Sequence, residues 1–397
     1  MSAQESMPRY PRDAVRMTSL QEPDRLVATY RLQCPTSEAA AEISRAIARE
    51  QTLEVPRGVV ADELEARLLG QVDDISGLPE GGFDATISYA LEVTGTDLLQ
   101  VVNVAYGNVS LMNGVRLVDL ILPAEVLDAL PGPRYGLDGL REMVGAEGGR
   151  PLISVAIKPM GRTCEELADL ATTFVRAGVD AIKDDHGLVD QSPAPFLDRV
   201  SAVGAAVAEA NAETGGRTAY FPNVTGPVDR LGERLDHVVA VGCAGVMVCP
   251  SLMGLDVMRS IASGPRPLAI MAHPTHSQVG PDRGEGIAPD LLYGTLYRLA
   301  GADIVVYVNA GGRFSWPVEQ CEAINARLRA PLGRHRSAAP APAGGVDDAD
   351  AGAWLERYGP DTMLLIGGSL LAQDDPLGAT RRLVEAALAA TPSPARS

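Results

Sequence analysis

The chain has 397 residues, 46% of them apolar, enough for two or three domains or for one large barrel with an appendage. Its formal net charge of −17, from 51 acidic and 34 basic residues, repels nucleic acid and anionic lipid. No cluster of Lys or Arg offers a track for a phosphate backbone, so an anionic small substrate needs a local positive pocket against the overall field.

In chain order, the polar stretch Met1–Met17 lacks the apolar run of a secretory leader. No later apolar run reaches membrane-span length. Cys34, Cys164, Cys243, Cys249 and Cys321 form no CxxC pair and read as reduced thiols. A cytoplasmic protein is expected, with no membrane or nucleic-acid partner. Asp24–Gln33 reads as a strand, Ser37–Arg49 as a helix after a Thr36-Ser37 capping signal, and Phe83–Val93 and Leu98–Val104 as two more strands. These form an α+β unit placed at residues 1–130.

Residues 131–397 form the second unit, and from Pro151 a regular cycle begins. Short apolar runs cover Leu152–Lys158, Ala181–Asp185, Ala219–Val224, Gly245–Cys249, Leu268–His273, Ile304–Asn309, Ala339–Gly344 and Met363–Gly367. Helical segments alternate with them, from Glu165–Ala177 to Pro376–Ala389. Eight such strands imply a parallel sheet buried on both faces, and the count favours a closed (β/α)₈ barrel over an open doubly wound sheet. No GxGxxG follows the first strand, which argues against a dinucleotide site. The Ala/Pro-rich seventh run is barely apolar and is assigned by its position.

Barrels of this kind place their chemistry at the C-terminal ends of the strands. Here those ends carry Lys158, Lys183, Asp184, Asp185, His186, Asn223, His273, His276, Asn309 and the pairs Gly344-Gly345 and Gly367-Gly368, including three of the five histidines. Alternation points Lys183 and Asp185 into the mouth and turns Asp184 away. A buried ion pair with a capping Asp is the structural alternative for this run. Lys158 in the mouth suits general acid–base work, and a snorkelling surface lysine is its alternative. The two late glycine pairs fit backbone nests for one phosphate, or ordinary tight turns. His276 reads as a metal ligand, a substrate contact or a core histidine.

Ile157-Lys158-Pro159, the stretch Gly178–Asp185, and His273 with the two late Gly-Gly turns together resemble the large subunit of ribulose-bisphosphate carboxylase, and specifically its RuBisCO-like (form IV) relatives. The resemblance implies a (β/α)₈ TIM barrel preceded by an α+β ferredoxin-like domain. It implies that Lys183 is carbamylated by CO₂ and holds Mg²⁺ with Asp185 and His186, and that Lys158 is the acid–base lysine. His186 stands where the carboxylases have a glutamate, which leaves the metal's identity open. Catalytic roles fall to Lys158, His273, Asn108 and Glu50, the last two reaching across a homodimer interface into the partner's site. Phosphate falls to Gly344, Gly345, Gly367 and Gly368, with further substrate contacts from His276, Asn309 and Arg313.

Met160, Pro274 and the lysine-free loop Asn309–Phe314 replace residues with which the carboxylases position CO₂ and a second phosphate. A substrate with one phosphate and no CO₂ fixation is therefore expected. Within the family, Lys183–Leu188, the loop Asn309–Phe314 and Leu365–Gly368 look most like the branch that decarboxylates or cleaves 3-oxo-isoapionate 4-phosphate. A metal-dependent carboxy-lyase working through an enediolate is the leading expectation. The alternatives are an enolase or isomerase of a keto-phosphate, as in methionine salvage, and a non-catalytic ligand-binding relative.

Overall fold

The computed structural model describes residues 24–314 and 316–390, so the polar N-terminal stretch lies outside the described residues. β1 (Arg25–Leu32) alternates half-buried and buried positions, with Leu26, Ala28, Tyr30 and Leu32 inside. Thr36 caps the helix Ser37–Glu50 by accepting a hydrogen bond from the Ala39 N–H. β2 (Gln71–Gly77) and β3 (Phe83–Ala90) follow, then the helix Leu98–Tyr106 and β4 (Val115–Ile121). The sheet order β4-β1-β3-β2, with antiparallel neighbours, is the ferredoxin-like arrangement.

The segment from Leu98 is a helix, not the expected strand. Asp97 accepts from the N–H groups of Leu99 and Gln100, and Leu98, Val101, Val104 and Ala105 are buried at helical spacing. That cap and stripe outweigh the strand preference of the three valines. The two-residue strand Gly286–Ile287, from a barrel loop, pairs with β4, and Arg116 on β4 donates to the carbonyls of Gly280, Pro281 and Arg283. These bonds fix the small domain to the barrel.

The eight barrel strands are Leu152–Ile157, Ala181–Asp184, Ala219–Phe221, Gly245–Val248, Ala269–Ala272, Ile304–Val308, Ala339–Ala343 and Met363–Ile366. Each lies within the run expected from sequence. They pair in parallel, and the eighth lies beside the first. Met247 N–H donating to the Pro222 carbonyl (2.9 Å) and Val224 N–H to the Met247 carbonyl (3.0 Å) join the third strand to the fourth and close the barrel. The seventh strand pairs with the sixth over five residues, Ala339 and Ala341 filling the interior beside Met271, Val306 and Met363. The helix Leu255–Ser263, between the fourth and fifth strands, was not read from the sequence. No helix among the described residues is long and apolar enough to cross a membrane.

Candidate active site

The first, second, fifth, sixth, seventh and eighth strands, or the loops that follow them, each deliver a polar group or a glycine turn to one cavity of about 570 Å³ at the C-terminal mouth. Lys158, Lys183, Asp185, His186, His273, Arg313, Gly344, Gly345, Gly367 and Gly368 all line it. Lys158 Nζ lies 3.7 Å from Asp185 Oδ1, and His186 Nδ1 lies 3.6 Å from Asp185 Oδ2. The His186 ring stacks on His273, with centroids 5.0 Å apart and planes 11° from parallel.

Burial sets the charge states. Lys183 is 2% exposed, and desolvation pulls its amine down to about 8 although Asp185 favours the charged form. Desolvation raises the Asp185 carboxyl, but its bond with His186 and the charges of Lys183 and Lys158 outweigh this and hold it well below the usual carboxylate range. Burial, reinforced by Lys183, pushes His273 well below the ordinary imidazole value. Its ring is therefore neutral. The Thr275 backbone N–H donates to His273 Nδ1 (3.2 Å), and Thr275 Oγ1 lies 2.8 Å from the same nitrogen. A backbone N–H can only donate, so Nδ1 is an acceptor and the ring proton sits on Nε2. His273 thus enters the site as a neutral N–H donor.

The ledge Lys183–His186 is clamped from outside the barrel. Asp184 faces outward, as alternation requires, and is fully buried. It accepts from Arg199 Nε (3.2 Å), the Tyr220 hydroxyl (2.7 Å) and the Asn223 N–H (2.9 Å). The Asn223 amide in turn donates to the His186 carbonyl at 2.9 Å. Asp184 is thus part of the support beneath the ledge.

Whether these residues suit a divalent ion depends on Lys183. Among the described residues, no three His, Cys, Asp or Glu side chains converge as a metal site. Asp185 and His186 offer one carboxylate and one imidazole, too few oxygens for Mg²⁺. The Lys183 amine donates to the Asp184 carbonyl at 2.9 Å and brings no lone pair while protonated. A carbamate on Lys183 supplies the missing oxygens, and an amine with a pKa near 8 has the neutral fraction that CO₂ requires. In that form Lys183, Asp185 and His186 would present two anionic oxygen groups and an imidazole to a divalent ion, whose remaining positions water can fill.

Four expected contacts lie elsewhere. Asn309 is fully buried outside the cavity, its Oδ1 accepting from the Tyr358 hydroxyl at 2.7 Å, because its position directly after the sixth strand carries the alternation on to the barrel's outer face. His276 takes a positive φ of 65° in the loop after the fifth strand and does not line the cavity. Glu50 and Asn108 are joined by a 2.9 Å hydrogen bond on the small domain, away from their own barrel's mouth.

One signal was overlooked. Of the 34 basic residues only two, Lys158 and Lys183, are lysines, and both line this cavity. Everywhere else the chain uses the permanently charged arginine. An amine that can lose its proton is kept for the mouth alone. Thr275 was also passed over, since a threonine two residues after a histidine has no distinctive spacing.

A ferredoxin-like domain ahead of a barrel with this mouth is the architecture of the ribulose-bisphosphate carboxylase large chain and its relatives. Residues 136–315 match the family profile described as "Ribulose bisphosphate carboxylase large chain, catalytic domain". The crystal structure of a RuBisCO-like protein from Rhodopseudomonas palustris superimposes with a TM-score of 0.85 at 35% identity, covering 94% of this chain and 100% of that one. The chain belongs to the RuBisCO-like protein family. It is 38% identical to the 5-methylthioribulose-1-phosphate isomerase of Rhodospirillum rubrum, over 89% of this chain and 93% of that one. It is 33% identical to the 2,3-diketo-5-methylthiopentyl-1-phosphate enolase of Geobacillus kaustophilus, over 77% and 76%.

These relatives overturn the expectation of a carboxy-lyase acting on 3-oxo-isoapionate 4-phosphate. Their named activities are isomerisation and enolisation of methylthio-pentose phosphates. Decarboxylation and enolisation pass through the same kind of enediolate, so the shared rim could not separate them.

Proposed function

We propose that the protein is a proton-transfer enzyme of methionine salvage that isomerises a singly phosphorylated, methylthio-substituted ketopentose such as 5-methylthioribulose 1-phosphate. No carbon–carbon bond is broken. The observation that carries this reading is the placement of Lys158, beside Asp185, in the same cavity as a neutral His273 that offers an N–H. The glycine turns after the seventh and eighth strands are suited to hold the phosphate through backbone N–H groups. Lys158, as the free amine, takes a proton from a carbon next to the substrate carbonyl. Electrons move onto the carbonyl oxygen, and His273 Nε2–H donates a hydrogen bond to the resulting enediolate. The proton of the adjacent hydroxyl passes to the former carbonyl oxygen, and the Lys158 ammonium returns its proton to the former carbonyl carbon as the other oxygen becomes the new carbonyl, which completes the isomerisation.

A divalent cation held by Asp185, His186 and carbamylated Lys183, Mg²⁺ being the ion the family resemblance implies, would supply further electrostatic stabilisation of the enediolate. Glu50 and Asn108, remote from their own mouth, are assigned to the partner's site in a homodimer.

The second reading, enolisation of 2,3-diketo-5-methylthiopentyl 1-phosphate, rests on relatives of 28–33% identity that cover 72–77% of the chain. Proton NMR in D₂O, with bicarbonate and Mg²⁺ present, separates the two. Conversion of 5-methylthioribulose 1-phosphate that falls about 10²–10⁴-fold in Lys158→Met supports the isomerase. Turnover of the diketone alone moves the assignment to the enolase. Turnover of neither substrate sinks both.

A further inference from the structure

The two glycines after the eighth strand do different jobs. The eighth strand pairs in register with the first, from Met363 opposite Leu152 to Ile366 opposite Val155, so Gly367 leaves the barrel beside the end of the first strand, which continues through Ala156 and Ile157 to Lys158. A Cβ built on Gly367 would stand 2.8 Å from Lys158 Nζ and 3.0 Å from its Cε. Real Cβ atoms do not come that close, so the lysine would have to move. A Cβ on Gly368, one residue on, would meet nothing within 4 Å. Lys158 Nζ is bounded on another side by Asp185 Oδ1 at 3.7 Å. Its amine therefore sits between a carboxylate that attracts it and a backbone position that accommodates it only while bare.

We propose that Gly367 is a positioning residue for the Lys158 amine: its missing side chain is the seat that sets where the proton carrier stands over the substrate. Gly368 has no such constraint and is left to the phosphate nest. The proposal rests on the reading of Lys158 as the proton carrier. Its geometric half, that Gly367 seats the lysine, stands apart from that reading.

Because the atoms displaced are the end of a flexible side chain, Gly367→Ala should fold normally and keep its thermal midpoint within about 2 °C. A shift of about 1 Å in a reacting group costs up to about a hundredfold in rate, so kcat should fall 10–100-fold. Because the substitution leaves the backbone N–H groups of this turn in place, the inhibition constant of inorganic phosphate should stay within twofold. Labelling with [13Cε]lysine gives two ε-carbon signals, one for each lysine in the chain. In Gly367→Ala the Lys158 signal, assigned with Lys158→Met, should move while that of Lys183 stays. In Gly368→Ala both should stay.

An unmoved Lys158 signal, an equal shift in the two variants, or a protein that no longer folds would each overturn the proposal. So would a loss of phosphate affinity that accounts for the whole loss of kcat/KM. The labelling needs no substrate. If the Lys158 signal moves but the wild type turns over neither keto-phosphate, the seat stands and the proposed function fails.

Discussion

Replacing Asp184 by alanine tests whether the site is held from outside the barrel. Asp184 and Arg199 are both fully buried, and the carboxylate takes hydrogen bonds from Arg199, Tyr220 and the Asn223 N–H. Removing it strands a guanidinium in the interior, left with the Ala194 and Val189 carbonyls as acceptors and the face of the Phe196 ring. Breaking a buried pair on one side costs about 3–5 kcal/mol. An unfolding entropy of about 2.1 cal/mol/K per residue gives a chain of 397 residues about 0.8 kcal/mol/K. The expected loss is therefore about 4–6 °C in Tm, read by calorimetry on a cooperative transition. Glu213→Ala, which breaks the exposed Arg176–Glu213 pair (side chains 51% and 47% exposed), should move Tm by no more than about 1 °C. Equal shifts in the two variants would refute the view that burial gives the Asp184 cluster its weight.

Three more outcomes are expected. Activation by bicarbonate should rise with pH through about 8, since the Lys183 amine must be unprotonated to react and only roughly a tenth of it is so at pH 7. Metal chelation should reverse that activation, and a pH-independent response in kinetic assays would contradict it. Gly345→Ala should weaken phosphate inhibition about tenfold, because the residue has φ +69° and its Cβ would stand 2.7 Å from the Gly311 carbonyl carbon; a calorimetric titration that shows unchanged affinity counts against the nest. Mixing inactive Asn108→Ala and Lys158→Met proteins should restore up to about a quarter of wild-type activity, since half of the reassorted dimers would carry one intact site; no recovery after exchange would remove Asn108 from the partner's site.

How legible the molecule was in its sequence depended on burial. All eight barrel strands could be found because their apolar runs are packed on both faces, and even Ala339–Ala343 could be placed by its spacing. β2 escaped because Gln71–Gly77 is an edge strand with no fully buried residue, so it carries no alternation to read. Leu98–Tyr106 was misread because valines at 101, 102 and 104 favour strand, while the deciding Asp97 cap lies one residue outside the run. In the site, the strand-end rule brought Lys158, Lys183, Asp185, His186 and His273 to one cavity. It misplaced Asn309, which alternation would have turned outward had the strand been counted from Val306, an interior residue.

The substrate was misjudged for a chemical reason. Losing CO₂ from a β-keto acid and losing a proton beside a ketone both leave an enediolate, so both need the same anion-stabilising rim. What separates them lies on the substrate and in how the enediolate is quenched. Here the loop after the sixth strand brings Arg313 and Phe314 to the cavity, where the carboxylases are expected to present a CO₂-positioning lysine. With both of the chain's lysines at the first and second strands, the amine beside Asp185 is the group placed to quench the carbanion, and a proton is what it carries. Met160, Pro274 and a loop without lysine, where the carboxylases are expected to hold CO₂ and a second phosphate, thus remove the means of adding carbon and leave intact what proton transfer needs. Features that suit a carboxy-lyase working through an enediolate are also the features an isomerase requires.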